Sequence, residues 1–293
     1  MKKLYHIVIY LSFIFLCVAL YKADYLNIPE IHSFFLLFCS LFFLFAGFIG
    51  NALSLKKTLD IVGFRIGIHE SIAGVGLTIF GKYIPGKIWM VFGLSSYIAA
   101  KGNHDLRQLT ILSLDVQIIS LWTGLFLGFI GLLIFDGFHL WGCLVIGLWL
   151  CLSLVIFSRF LHLLIIKIYN FLFRKDIVTF QLLAQQVFRL VPWYCGYWML
   201  WAIGFYLQII SLTNVEISFF SGLGFPLAGT LGILAIIAPG GLGVREGVLT
   251  GYLALVGLPI NEATTIAIST RLWFLGGEVL IFFTGWILHQ FSK

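Results

Sequence analysis

The chain has 293 residues, of which 61% are hydrophobic and 10% are charged, and its formal net charge is +6. Soluble domains are roughly 45–50% apolar and about 25% charged, so this composition excludes an ordinary water-soluble fold. It predicts an all-α polytopic membrane protein. The basic residues lie in short loops between apolar segments, a distribution that sets the orientation of helices in a membrane. Because the positive charge has this explanation, no nucleic-acid partner is expected.

Six apolar segments are long enough to cross a bilayer, which takes about 20 residues. They are approximately 4–21, 31–54, 109–135, 137–158, 185–211 and 263–288. The first resembles a signal peptide but lacks a small-residue cleavage site, so we expect it to remain as a helix. Basic residues cluster in the loops on one side and acidic residues in those on the other, which predicts that both termini are cytoplasmic.

Two further segments, 71–100 and 217–257, contain apolar stretches that are too short to cross alone and are separated by glycine and proline. Residues 71–100 must enter and leave by the cytoplasmic face. They are predicted to form a re-entrant helical hairpin or a helix broken at Pro85 and Gly86. Residues 217–257 must begin and end at the outer face, either as a re-entrant hairpin or as two crossing spans.

One broken segment opened from each face suggests an inverted repeat within a single membrane domain, 1–293, with halves 1–135 and 137–293. Such repeats place the binding site between the halves, near the midplane of the membrane. Residues 159–175 lie between the predicted spans 137–158 and 185–211. At 100° per residue, their polar side chains fall in one arc. This pattern predicts an amphipathic helix in the cytoplasmic interface, with an ordinary basic loop as the alternative.

The first break reads GKYIPGKIW at residues 81–89. It matches the G-x-x-x-x-G-K pattern, but Ile88 stands where a nucleotide-binding loop needs Ser or Thr, so a nucleotide site is excluded. The two lysines, Lys82 and Lys87, flank a break where free backbone N–H groups favour an anion such as a phosphate. The alternative is that both lysines mark the loop and extend to the membrane interface.

The second break, APGGLGVREGVL at residues 238–249, places Arg245 beside Glu246 in otherwise apolar sequence. An ionisable residue at the membrane centre costs about 2.5–3.5 kcal/mol and therefore indicates a functional site. The alternative is that the two residues neutralise each other and brace the break. Arg271 and Glu278 lie seven residues apart on one helix face. Glu278 could pair with Arg245 or Arg271, or receive a cationic head group.

At these two motifs the sequence resembles the flippase-like family, also called the lysylphosphatidylglycerol synthase transmembrane-domain family. That family includes the N-terminal membrane half of the bacterial multiple peptide resistance factor. The resemblance covers nearly the whole chain and implies movement of a lipid, aminoacylated phosphatidylglycerol in the best-known members, between the leaflets of the bacterial inner membrane. It carries site residues over to Lys82, Pro85, Gly86 and Lys87, and to Pro239, Gly240, Gly241, Gly243, Arg245 and Glu246.

The sequence therefore predicts a lipid flippase for an anionic or aminoacylated phospholipid, or for a polyprenyl-phosphate-linked lipid, with Arg271 and Glu278 completing the site. No soluble aminoacyl-transferase domain follows the last predicted span before Lys293, so the chain is not expected to make the lipid. No cofactor and no metal site are predicted. The expected partners are membrane lipids, bound through their phosphate; a second copy of the chain and a partner enzyme are left open.

Two other classes of function remain as alternatives. A membrane-embedded enzyme acting on a lipid-linked head group would need converging acid–base groups, and Asp115 with Glu246 and Glu278 is the one carboxylate set available. Asp115 and Arg189 each lie close enough to a predicted span end to serve as a cap or to reach the interface. A lipid-binding scaffold would instead recruit a cytoplasmic partner through residues 159–176.

Overall fold

The computed structural model describes residues 29–84, 88–102, 104–158, 167, 182–235, 241 and 243–291, and these residues form helices and no strands. In chain order the helices are α1 (Phe34–Val62), α2 (Ile68–Thr78), α3 (Ile88–Gly102), α4 (Leu106–Phe135), α5 (Leu140–Phe157), α6 (Ala184–Leu212), α7 (Gly224–Leu234), α8 (Val244–Leu255) and α9 (Ile260–Phe291). Short 3₁₀ helices follow α2 (Ile79–Tyr83) and precede α7 (Phe219–Leu223).

Five long helices in the described part, α1, α4, α5, α6 and α9, are long and apolar enough to cross a membrane. They coincide with five of the six predicted spans, which supports a helical membrane protein. The sixth predicted span, 4–21, and the predicted amphipathic helix 159–175, apart from Lys167, lie outside the described residues. Large apolar side chains on α1 and α5 are exposed as lipid contacts would require; Phe35 is 75% and Trp141 63% exposed.

The predicted end of the span 31–54 is wrong, because α1 continues eight residues further, to Val62. The extension carries Lys56, whose Nζ donates to Asp60 Oδ2 at 2.6 Å, one turn along the same helix. Gly63 then ends the helix in a left-handed conformation with φ +93°, and its N–H bonds back to the last turn. The apolar run is therefore shorter than the helix that contains it.

The two broken segments are both helical hairpins. In the first, α2 and the 3₁₀ helix after it pack against α3; in the second, α7 packs against α8. The first helix of each hairpin has 11 residues, which at about 1.5 Å per residue extends about half of the roughly 30 Å hydrocarbon core. A chain that starts at either face therefore reaches its turn near mid-depth.

The long helix α1 is antiparallel to α6, and polar side chains join the two backbones along the interface. Ser40 Oγ donates to the carbonyl oxygen of Gly204 at 2.7 Å, and Ser54 Oγ to that of Trp193 at 3.1 Å. In a membrane such interhelical hydrogen bonds hold helices together where the hydrophobic effect between them is weak. The interface between α1 and α6 lies at the centre of the described bundle.

Each hairpin packs its first helix against a long helix from the other end of the chain: α2 lies against α9, and α7 lies against α4. Glycines allow both contacts. A Cβ at Gly76 would lie 2.3 Å from the carbonyl oxygen of Ile281 and 3.1 Å from Gly285 Cα. A Cβ at Gly128 would lie 2.8 Å from Leu227 Cα. Only small residues permit backbones to approach this closely.

Candidate functional site

Five charged side chains from the two hairpin turns and the middle of α9 lie together inside the bundle. We call this set the charged cluster, and its members are Lys82, Arg245, Glu246, Arg271 and Glu278. The 3₁₀ helix after α2 brings the lysine, the first turn of α8 brings the neighbouring Arg–Glu pair, and α9 brings the other two. The sequence predicted all five as site residues, and the structure brings them to one place.

Glu278 is the most buried member of the charged cluster, with none of its surface exposed. Its carboxylate accepts hydrogen bonds from Lys82 Nζ and, at 2.8 Å, from the hydroxyl of Tyr83. The sequence left Arg245 and Arg271 as its candidate partners, and the structure gives it the lysine instead. The reason is that the first hairpin packs directly on α9 and places its turn opposite Glu278.

Glu246 pairs with Arg271, whose Nε donates to Glu246 Oε1. The other carboxylate oxygen of Glu246 accepts the backbone N–H of Gly243 at 2.7 Å, which caps the start of α8. The alternative, in which Glu246 and its neighbour Arg245 neutralise each other as a pair, is therefore not the arrangement in the structure. Adjacent residues on a helix point about 100° apart and do not face each other.

Arg245 is 8% exposed and forms no ion pair among the described residues. Its guanidinium carbon lies 4.7 Å from the ring centroids of both Phe225 and Phe274, so two aromatic faces hold it by cation–π contact. Its Nη2 is buried and has no hydrogen-bond partner in the described structure. A buried donor without a partner costs free energy that an added acceptor would recover.

The charged cluster carries one positive charge in excess, because Lys82, Arg245 and Arg271 contribute three cations against the two carboxylates of Glu246 and Glu278. Both carboxylates are already engaged, in separate ion pairs. The remaining charge resides on the side chain that the two rings hold in place. This arrangement can accept one anionic group without giving up either ion pair.

Three aromatic residues of the site were missed by sequence reasoning: Tyr83, which donates to Glu278, and two phenylalanines. Phe274 contacts Arg245 and also lies under Lys82, whose Nζ is 4.7 Å from the ring centroid. It could have been found, because it lies between Arg271 and Glu278 at helical spacing and shares their face of α9. Phe225 has no such signal, since only the packing of α7 brings it to the cluster.

The two described glycines of the second motif, Gly241 and Gly243, both have a positive φ. Gly241 has φ +71°, and a Cβ there would lie 2.8 Å from the carbonyl oxygen of Gly232, so the turn approaches the end of α7 closely. Gly243 has φ +79° and precedes α8. The other predicted residues of the two motifs lie outside the described residues; they are Pro85, Gly86, Lys87, Pro239 and Gly240.

Asp115 does not join the charged cluster. It lines a separate small cavity on α4 that contains no cluster residue, so the carboxylate set considered for an enzyme does not converge. Arg189 is exposed at the start of α6, as expected for a residue that reaches the interface. Within the described ranges, no group of His, Cys, Asp and Glu side chains could hold a metal ion.

Comparison of the chain with protein-family models, with curated proteins and with solved structures gives no match. The resemblance to the flippase-like family therefore stays a hypothesis carried by two short motifs. What the two motifs have in common in the structure is their position, since both contribute to the charged cluster.

Proposed function

We propose that this protein is a lipid flippase of the bacterial inner membrane and that the charged cluster binds the anionic head group of its lipid. The observation that supports this most directly is the buried guanidinium of Arg245, which has a free donor and no ion-pair partner among the described residues. A phosphate oxygen would accept from Nη2 and neutralise the excess positive charge of the cluster. Buried charges are otherwise expensive to leave unpaired.

The substrate class follows from the same charges. One excess positive charge matches one negative charge, such as that of a phosphodiester in an anionic phospholipid. The first motif contains a further cation in its sequence, Lys87, which lies outside the described residues. A second cation would favour a more highly charged phosphate, such as that of a polyprenyl-phosphate lipid. The two lipid classes are therefore separate arms of the test.

We further propose that the chain is an inverted repeat in which α1 to α4 correspond to α6 to α9. Each set consists of a long helix, a helical hairpin and a second long helix. The contacts support this. In the proposed repeat α2 corresponds to α7 and α9 corresponds to α4, and the structure contains both the contact of α2 with α9 and the equivalent contact of α7 with α4. The same correspondence leaves the central contact of α1 with α6 unchanged. These are the relations that a two-fold axis in the membrane plane would produce.

The halves 1–135 and 137–293 fit this repeat if each half begins with one additional span. In the second half this span is α5, which precedes α6; in the first half it would be the predicted span 4–21, which precedes α1. The charged cluster then lies between hairpins that open to opposite faces. Motion of one set of helices against the other would expose the cluster first to one face and then to the other. The head group would follow this path while the acyl chains remain in the bilayer.

Cysteine labelling tests the opposite orientation of the two hairpins. Arg65, before the first hairpin, and Glu216, before the second, are both exposed. In a variant without native cysteines, Glu216→Cys should react with a membrane-impermeant maleimide in intact cells. Arg65→Cys should react only after the membrane is permeabilised. Reaction of both from the same side would contradict the inverted repeat.

Lipid translocation in sealed proteoliposomes tests the function. Head-group-labelled anionic, aminoacylated and polyprenyl-phosphate lipids are compared with a labelled neutral lipid that lacks phosphate. Arg245→Ala should reduce translocation of the transported class about 10- to 100-fold, because one charge-assisted hydrogen bond contributes about 1.5–3 kcal/mol. Arg245→Lys keeps the charge and should retain part of the activity.

The matched control is Arg189→Ala, which removes an exposed arginine outside the charged cluster and should leave translocation unchanged. Correct folding of every variant is checked by gel filtration and by its unfolding temperature. Wild-type translocation that Arg245→Ala leaves intact would place the head-group site elsewhere. A folded wild-type protein that moves none of the labelled lipids would contradict the proposed function.

A further inference from the structure

Asp115 is an unexplained, half-buried acid in the first half of the membrane-spanning helix α4. One of its carboxylate oxygens, Oδ2, is buried and has no hydrogen-bond partner in the part of the chain that the structure describes. It faces a cavity of about 20 Å³, which is room for one water molecule. The other residues lining this cavity are all aliphatic: Ile118, Ile119, Val155, Ile156, Leu182 and Val187.

Within the described residues, the helices around Asp115 bring no counter-charge to it. Neither α5 nor α7 contains a charged residue, and the two cysteines of α5, Cys143 and Cys151, are exposed. On α6, Arg189 is exposed. On α4 itself, Arg107 lies eight residues earlier, or about 12 Å along the helix axis.

The register of α3 against α4 separates Asp115 from the lysine of α3. Ser95 Oγ of α3 donates to Ser113 Oγ of α4 at 2.9 Å, so these two residues lie at the same level. Because the helices are antiparallel, Lys101 and Asp115 lie on opposite sides of that level. Lys101 is therefore about 12 Å along the axis from the level of Asp115. The other titratable side chain of α3 is Tyr97. Its hydroxyl lies 3.2 Å from Nδ1 of His289 on α9, within hydrogen-bond distance.

Tyr194 of α6 is the titratable side chain that interacts electrostatically with Asp115. Its hydroxyl is 3.0 Å from Thr58 Oγ1 on α1, so the acid adjoins a buried hydrogen-bonded pair between the two central helices. On the next turns, Tyr197 shares a hydrogen bond with Ser120 of α4. These contacts leave the carboxylate beside neutral hydroxyl groups and aliphatic side chains.

The chemistry of the cavity selects its ligand. A hard metal cation needs several oxygen ligands, about six to eight for calcium, and this cavity offers one carboxylate. An ionised carboxylate with no partner is strongly disfavoured in apolar surroundings. A proton needs only the carboxylate itself, and it removes the charge that the surroundings disfavour.

We propose that Asp115 is a proton-binding site, occupied while the cavity is closed and released when α4, α5 and α6 part enough to admit water. If the protein is a flippase, as proposed above, this site gives it a means to couple lipid movement to the proton gradient. The coupling rests on the proposed function, whereas the protonation of Asp115 does not.

Infrared difference spectroscopy on the full-length protein in lipid nanodiscs tests the protonation directly. Between acid and alkaline pH, the wild type should show the C=O band of a buried carboxylic acid that disappears as the pH rises. Asp115→Asn should lose this band, and Asp115→Glu should retain it at a shifted frequency. Glu216→Gln, which removes an exposed carboxylate, should leave it unchanged. A band that survives Asp115→Asn, or the absence of any pH-dependent carboxylic band, would overturn the proposal.

Translocation in proteoliposomes with an imposed proton gradient tests the coupling. The gradient should change the wild-type rate, and Asp115→Asn should lose this response while movement without a gradient continues. A variant that still responds to the gradient would overturn the coupling. A wild type that moves no lipid would contradict the proposed function alone, because the infrared result still decides whether Asp115 binds the proton.

Discussion

Replacing Glu278 by alanine should lower the free energy of unfolding by about 3–5 kcal/mol, the usual cost of breaking a buried ion pair from one side. The carboxylate is completely buried and accepts hydrogen bonds from Lys82 and Tyr83. Without it, the charged cluster would keep three cations and a single carboxylate, that of Glu246. The effect is measured as the unfolding free energy of the purified protein in a defined detergent or lipid.

Removing both members of this ion pair should cost much less than removing the acid alone. The double variant Lys82→Met with Glu278→Leu leaves no unpaired charge at this position, and aliphatic side chains of similar size can fill the space. A double-mutant cycle between Lys82 and Glu278 then measures their interaction energy. An alanine substitution at Glu278 that changes stability by less than about 1 kcal/mol would show that the pair is exposed to solvent.

Gly76→Ala should destabilise the protein by at least the roughly 1–3 kcal/mol of an overpacked core, because the new methyl group would meet backbone atoms of α9. The added Cβ would lie 2.3 Å from the carbonyl oxygen of Ile281, so α2 and α9 would have to separate. Since α9 also carries Arg271 and Glu278, the charged cluster should loosen together with this contact. Unfolding free energy and lipid translocation should therefore fall together.

Gly251→Ala is the matched control for that substitution. Gly251 lies within α8, and a Cβ there would have no atom within 4 Å. Alanine favours a helix over glycine by about 0.8–1.0 kcal/mol, so this variant should be as stable as the wild type or slightly more stable. Equal losses at Gly76 and Gly251 would contradict the close approach of α2 and α9.

The long helices were predictable because the length of an apolar run is a local property of the sequence. Five predicted spans coincide with α1, α4, α5, α6 and α9. The two breaks were predictable, since their apolar stretches could not cross alone and the loop charges favoured a return to the same face. The sequence left a broken helix open for 71–100 and two crossing spans open for 217–257. Helix ends were less predictable, because α1 continues through Lys56 and Lys57 after its apolar run has ended.

The members of the charged cluster were predictable one by one, because an ionisable residue in an apolar segment is costly wherever it lies. Their partners were not. Lys82 and Glu278 are 196 residues apart, and only the packing of the first hairpin on α9 joins them. The alternative of a pair between Arg245 and Glu246 could have been set aside from the sequence, since neighbouring helix positions point in different directions.

The packing of α2 against α9, a helix far from it in the sequence, has a consequence for biosynthesis. α2 leaves the ribosome well before its long partner, α9. Throughout synthesis of the intervening residues, Lys82 therefore has no Glu278 to accept its hydrogen bonds, and Glu246 has no Arg271. The first hairpin must wait in the membrane with an unneutralised lysine at its turn. The site forms only when α9 enters the membrane, so a nascent chain that stops before Ile260 should be a preferred target for membrane quality control.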